Sequence, residues 1–170
     1  MYSLGLLHSR FHEAWSLRLG GWHGVGNDPQ YTPSTGFETF PFPEEMTPNV
    51  PAAQYANNSL SFGIAAAAKR LNELRENWLN PVDLVRMEKE VVPGFPDRVL
   101  PINEDAAAIL RKRTLTNLYN ERPTWLANAH ADLDAAVAEA YGWPADISDD
   151  DAIAKLFALN QERTTASSLV

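Results

Sequence analysis

His8 and His12 stand four residues apart, a spacing that puts two imidazoles on one helix face, where they could hold a metal. Only Glu13 and His23 lie near enough in sequence to complete such a site, so packing and hydrogen bonding of the rings is the stronger reading. Gly20–Gly26, GGWHGVG, is glycine-rich, yet the sequence predicts no strand before it and no clear helix after it, as a phosphate loop requires. Neither G-x-x-x-x-G-K-[ST], G-x-G-x-x-G nor H-E-x-x-H occurs. DISDDDAIAKL, from Asp146 to Leu156, lacks the spacing and terminal glutamate of a calcium loop; it reads as a helix start where carboxylates meet the macrodipole. Glu88 and Lys89 lack the preceding acid of a nuclease signature. His130 sits in an alanine-rich helix as a structural or exposed residue, and no serine or threonine has an evident base beside it. The run Arg111, Lys112 and Arg113 lies mid-helix and is either a solvated face or a strip for phosphates. Composition and spacing therefore reveal no catalytic motif.

Length and charge narrow the classes. The chain has 170 residues, enough for one domain with a real core or for a domain with an attached segment. It has no cysteine, which removes disulfides and thiolate metal sites and fits a reducing compartment. No run of eighteen apolar residues is present, so no membrane-spanning helix is expected. MYSLGLLHSRF has no basic leader and is interrupted by His8 and Arg10, unlike a signal peptide. Cytoplasm is the expected location. Fourteen bases against 22 acids leave a net charge of −8, which argues against a free-standing nucleic-acid binder. The excess is uneven: residues 51–100 balance six against six, whereas residues 101–170 hold eleven acids against six bases.

The elements that would position these groups are mostly helices. Leu4, Leu7, Phe11, Trp15 and Leu19 form one stripe of a helix over residues 3–19, stopped by Gly20-Gly21 in a left-handed cap. Residues 22–50 read as loop with short strands around Gln30–Tyr31 and Phe37–Phe40, and Pro43–Ala53 as a linker or crossover. Ser59 would cap a helix to about Trp78, and residues 88–103 form a second proline-rich connector. Asn103 would cap a helix to about Asn120, Pro123 would start another, and Gly142 would end it. Ser148 with Asp151 opens a last helix, and TTASSLV is expected to fray. The predicted class is mainly α: a bundle of about four helices, preceded by a helix and an irregular aromatic and proline-rich segment with at most short strands.

Four stretches carry a family likeness: HSRFHEAW at 8–15, DPQYTPSTGFETFPFP at 28–43, LRKRTLTNLYNERPTWL at 110–126 and HADLDAAVAEAYGWP at 130–144. They resemble the C-terminal part of the MmeI-like type IIG/IIL DNA adenine methyltransferases of bacterial restriction–modification systems. The resemblance implies that residues 1–50 are the end of a target recognition domain and residues 51–170 a C-terminal helical domain. It places the cofactor-binding strand–turn–helix for S-adenosylmethionine and the N-P-P-[YF] catalytic loop upstream, and neither motif occurs here. This chain would then be a non-catalytic fragment that supports recognition of DNA, with DNA and the methyltransferase core domain as partners, and it would be capable of self-association through the surface so exposed. One departure is Gln30, where the family commonly has arginine ahead of the tyrosine, which removes one phosphate contact. Phe37, Phe40 and Phe42 would plug an interdomain seam, held extended by Pro41 and Pro43. The candidates for DNA contact are Arg10, Arg18, Arg111, Lys112 and Arg113. The alternative from a different class is an acidic helical interaction protein or DNA mimic, motivated by the charge of −8. A third is a small helical enzyme using His8, His12 and Glu13.

Overall fold

The computed structural model describes residues 2–25, 28–55 and 58–167. Among them are eight α-helices, one 3-10 turn and two separate two-stranded antiparallel sheets, so the fold is mainly α as predicted. No described helix is long and apolar enough to cross a membrane. The chain divides into two compact units, one made of Met1–Lys69 with His130–Val170 and the other of Arg70–Ala129.

The first unit opens with α1 (Tyr2–His8) and α2 (Arg10–Leu19). The single helix expected over 3–19 is interrupted at Ser9, which is buried and extended (φ −77°, ψ 155°). Its hydroxyl donates to the Leu6 carbonyl at 2.7 Å, and the next amide, Arg10 N–H, donates to Asp134 Oδ1 at 2.9 Å. A serine side chain competing for local backbone groups breaks the ladder here. Helix α1 approaches α4 (Ser59–Leu79) closely: a Cβ on Gly5 would stand 2.6 Å from Ile64 Cγ2, so only glycine fits. Gly20 ends α2 in extended rather than left-handed backbone (φ −73°, ψ 157°). It is needed for space, because a Cβ there would meet the Ser16 and Gln30 carbonyl oxygens at 2.6 and 2.7 Å.

Next comes a fully exposed hairpin, β1 (Gly21–His23) and β2 (Asp28–Gln30), with Trp22 opposite Pro29. The strand expected around Gln30 is present, one or two residues early. The one expected at Phe37–Phe40 is absent: α3 (Pro33–Gly36) runs into a turn closed by Phe40 N–H to Phe37 O. Phe40, Pro41, Phe42 and Pro43 are then all buried. Phe40 and Phe42 meet edge to face at 5.0 Å, and Phe37 sits against Phe42 at 5.6 Å. Trp15 bridges Phe40 and Phe157. Burying each fully enclosed phenylalanine contributes about 1.5–3 kcal/mol.

Such a segment makes no sheet ladder, and its buried carbonyls need other donors. They find them on two later helices, α7 (Thr124–Ala140) and α8 (Asp149–Ser167). Thr39 O accepts from Asn160 Nδ2 at 2.7 Å and Phe42 O from the Arg163 guanidinium at 2.7 Å, both from α8. Pro41 O accepts from the Tyr141 hydroxyl at 3.0 Å, just beyond α7. The 3-10 turn Ala52–Tyr55 leads into α4 (Ser59–Leu79), whose cap is Asn58 rather than Ser59. Asn58 Oδ1 accepts from the amides of Leu60 and Ser61. Helix α7 closes as expected on Gly142 (φ +69°), with Trp143 N–H reaching back to Ala138 O at 2.9 Å. Trp143 is half-buried and stacked on Tyr141 at 4.3 Å. Ser148 caps α8 through Asp151 N–H at 3.1 Å, while its hydroxyl donates to Asp151 Oδ2 at 2.7 Å. The helix continues through Thr164–Ser167, where fraying was expected; the last three residues of that tail lie outside the described ones.

In the second unit, the connector expected at 88–103 is instead a hairpin, β3 (Val85–Glu88) and β4 (Arg98–Pro101). The helix expected from Asn103 to Asn120 is two: α5 (Glu104–Leu110) and α6 (Leu115–Glu121). Asn103 caps α5, its side chain accepting from Ala106 N–H at 2.8 Å. Thr114 caps α6 through Asn117 N–H at 3.1 Å, which starts a new helix where the old one would have run on. Trp125, early in α7, is half-buried.

Candidate nucleic-acid interface

Arg10 begins α2, and its side chain is already committed. The guanidinium is hydrogen-bonded to the Asp149 carboxylate, donates to Ile147 O at 2.7 Å and lies 4.6 Å over the Phe11 ring. It ties the start of α2 to the start of α8. Asp134, which receives the Arg10 amide, has its acid range raised, chiefly by burial, against the lowering effect of that hydrogen bond and charge. Arg18 is exposed on α2 and lines an open groove of about 480 Å³ with Leu17, Asp149, Asp150, Ile153 and Phe157. Two carboxylates beside it weaken its attraction for a phosphate.

The run at 111–113 lies in the turn between α5 and α6, not mid-helix as expected. Arg113 is half-buried, donates to Trp78 O at 2.7 Å and stands 5.5 Å over the Trp78 ring. That interaction fixes the turn. Arg111 and Lys112 stay exposed, and the Lys112 carbonyl accepts from Asn117 Nδ2 at 2.7 Å. Lys112 and Arg113 line a groove of about 430 Å³ with Trp78, Ala108, Ile109 and Glu121. The five candidates thus fall into two places. One pair is on α2 beside acids; one trio forms a turn whose third member anchors the first two.

Charge follows the same division. The second unit holds nine Lys or Arg and nine Asp or Glu, and the first holds five and thirteen, so the whole net charge of −8 belongs to the first. Within that first unit Arg10 and Arg163 are spent on carbonyls and a carboxylate. A polyanion would meet repulsion there and none on average at the second unit.

His8 and His12 do not share a helix face, because the break at Ser9 separates them. His12 is buried, with Nε2 3.2 Å from the Tyr31 hydroxyl and its ring edge-on to Phe40 at 4.8 Å. Burial first, and His8 second, lower its pKa to about 4, so it is neutral at pH 7. Its Nδ1 is buried without a partner among the described residues; with the proton on Nε2 it is a bare acceptor. Among the described residues no three His, Cys, Asp or Glu side chains gather as a metal site. Sequence reasoning did not single out Asn160, Arg163 or Tyr141 as partners of the Phe-Pro segment. The only local signal was a segment rich in buried carbonyls and poor in donors.

Comparison with known proteins agrees with this architecture. No curated protein matches the chain in sequence. The family model described as the MmeI C-terminal domain matches residues 95–168. Among solved structures, the fold is similar to that of the type IIL restriction–modification enzyme MmeI in complex with DNA, with a TM-score of 0.59 and 23% identity. That match covers 96% of this chain and 16% of the enzyme. Residues 95–168 are thus similar to the MmeI C-terminal domain, within a chain whose fold resembles part of a type IIL restriction–modification enzyme.

Proposed function

We propose that this chain is the non-catalytic C-terminal part of a DNA (adenine-N6) methyltransferase of a restriction–modification system, and that it supports recognition of target DNA. The observation that carries the reading is the likeness along 96% of the chain to an enzyme solved on DNA. The exposed Arg111 and Lys112, on the unit with no net charge, are its phosphate contacts, and Arg113 positions their turn through Trp78. Arg18 is the secondary contact, and Arg10 serves the fold. S-adenosylmethionine belongs, on this reading, to the remainder of such an enzyme. The grooves at Arg18, at Trp143, along α8 and at Lys112 are lined only by side chains at least partly exposed, which do not fit an enclosed nucleoside cofactor. No step of methyl transfer is assigned to these residues.

The test is binding of a labelled DNA duplex across a salt series, together with methyl transfer from labelled cofactor. Affinity should fall with salt at a slope of about −0.9 per phosphate neutralised, and Arg111→Ala with Lys112→Ala should flatten it by about that amount for each phosphate no longer neutralised. Salt-independent binding, or methyl transfer by the chain alone, would overturn the proposal. The second reading, an acidic interaction protein or DNA mimic, draws on the thirteen acids of the first unit. It predicts that the chain displaces DNA from a DNA-binding protein and binds none itself. Against it, Asp149, Asp150 and Asp151 sit in the first turn of α8, where Asp149 meets Arg10 and Asp151 meets Ser148.

A further inference from the structure

We propose that the β3–β4 ribbon is a self-association surface, through which two copies of this chain pair apolar face to apolar face. The register sets Met87 opposite Val99 and Val85 opposite Pro101, so these four side chains share one face of the ribbon. Met87 is 65% exposed and Val99 43%, leaving an apolar sheet face open to water. The other face carries the half-buried Leu100 opposite Arg86 and is otherwise ionic, its charges meeting one another: Glu88 meets both Arg86 and Arg98, and Arg98 also meets Glu90 at 3.2 Å. A ribbon with one ionic and one apolar face is built to cover something with the latter.

The connecting turn is preorganised as well. Val92, Pro93, Gly94 and Phe95 form a tight turn with Phe95 N–H on Val92 O and Gly94 at φ +88°, as proline followed by glycine allows. Glu90 accepts from the amides of Val91 and Val92, and Asp97 from that of Glu90. This holds Phe95 out at 69% exposure, near a still more exposed Val91. A rigid apolar projection loses little entropy on docking.

Charge selects the occupant. Residues 85–101 carry three bases and three acids, and all but Lys89 are engaged with one another or with the turn. With Lys89 as its only cation outside these pairs among the described residues, the ribbon offers little to a polyanion or an anionic membrane. A second copy suits it, because the unit that bears the ribbon has no net charge whereas the other unit, at −8, repels its like. An isologous contact needs only that one patch be complementary to itself, which an apolar sheet face satisfies. Within the described residues β3 and β4 pair only with each other, so their outer edges remain open for the same partner. This inference does not depend on whether the chain meets DNA.

Sedimentation velocity over a concentration series tests it. The wild-type chain should move from the 18.9 kDa monomer mass toward twice that value, more readily as added salt screens the repulsion between the two acidic units. Met87→Glu and Phe95→Ser, both at exposed positions, should each weaken association by roughly tenfold or more. Val25→Glu, at a position exposed in the other unit, should leave it unchanged. A wild type that stays monomeric throughout, or a Met87→Glu chain that associates like wild type, would overturn the proposal. Binding of wild type to anionic vesicles while it remains monomeric would assign the ribbon to a lipid surface and overturn it equally.

Discussion

Phe42→Ala tests whether the Phe-Pro segment is a core element. Phe42 is 5% exposed, meets Phe37 and Phe40 edge to face at 5.6 and 5.0 Å, and its carbonyl receives Arg163. Truncating a phenylalanine so enclosed removes its transfer free energy and leaves a cavity, together about 3–5 kcal/mol. Two aromatic pairs go with it, about 0.5–1.5 kcal/mol each, and part of that is already inside the first figure. Domains are stable by about 5–15 kcal/mol, so about a fifth or more of the margin should vanish. For a chain of this size the melting temperature should fall by about 6–20 °C. The assay is urea unfolding followed by tryptophan fluorescence, since Trp15 lies 6.3 Å from Phe40 in the same cluster and reports this unit. The midpoint should drop at unchanged slope. Phe62→Ala, at an exposed position of α4, is the matched control and should stay within about 0.5 kcal/mol of wild type. If Phe42→Ala unfolds at the wild-type midpoint, or the two alanine variants shift alike, the segment is not a core element and the reasoning fails.

His12 predicts a dependence on pH. Its pKa is about 4 in the fold and 6.5 in the unfolded chain, so between these values the unfolded state binds the extra proton. Stability is fully present above 6.5 and lost as pH falls toward 4, by up to about 1.4 kcal/mol per pH unit. Asp134 works in the opposite sense: its raised acid range adds stability as the carboxylate is protonated. Urea midpoints at several pH values for wild type and His12→Gln isolate the histidine, and an unchanged acid slope in the variant would refute its role. Arg10→Met should cost about 1–3 kcal/mol, mainly through the Ile147 carbonyl, since the Asp149 partner is largely exposed. The same variant should leave the salt slope of DNA binding unchanged; a slope reduced by about 0.9 would make Arg10 a phosphate contact after all.

The helices were readable wherever their ends are set by neighbours in sequence. Asn103, Gly142 and Ser148 cap as their residue types require, because a cap needs partners only two to four positions away. The break at Ser9 was not readable, since part of what holds it is Asp134, 124 positions along the chain from Arg10, whose amide it accepts. The β3–β4 hairpin was hidden for a different reason. Pro93 and Pro96 suggest a connector, yet both stand in the turn, where a missing amide removes no ladder bond. Arg10 and Arg113 looked available as cations in the sequence, but the acceptors that engage them, Ile147 O and Trp78 O, become neighbours only on folding.

The Phe-Pro segment shows where a family likeness and a physical reading meet on the same residues. The likeness implied that Phe37, Phe40 and Phe42 plug the seam between residues 1–50 and residues 51–170, where the chain returns from one to the other. In this chain Phe40 and Phe42 are already covered, by Trp15, by each other and by the helices that supply Tyr141, Asn160 and Arg163. Little of their surface is left for a further domain to cover. The apolar surface that does remain open belongs to Met87, Val91, Phe95 and Val99, in the hairpin that looked like a linker. A surface partner of this chain is therefore to be sought at the ribbon, and substitutions in the Phe-Pro segment should change stability before they change any interaction.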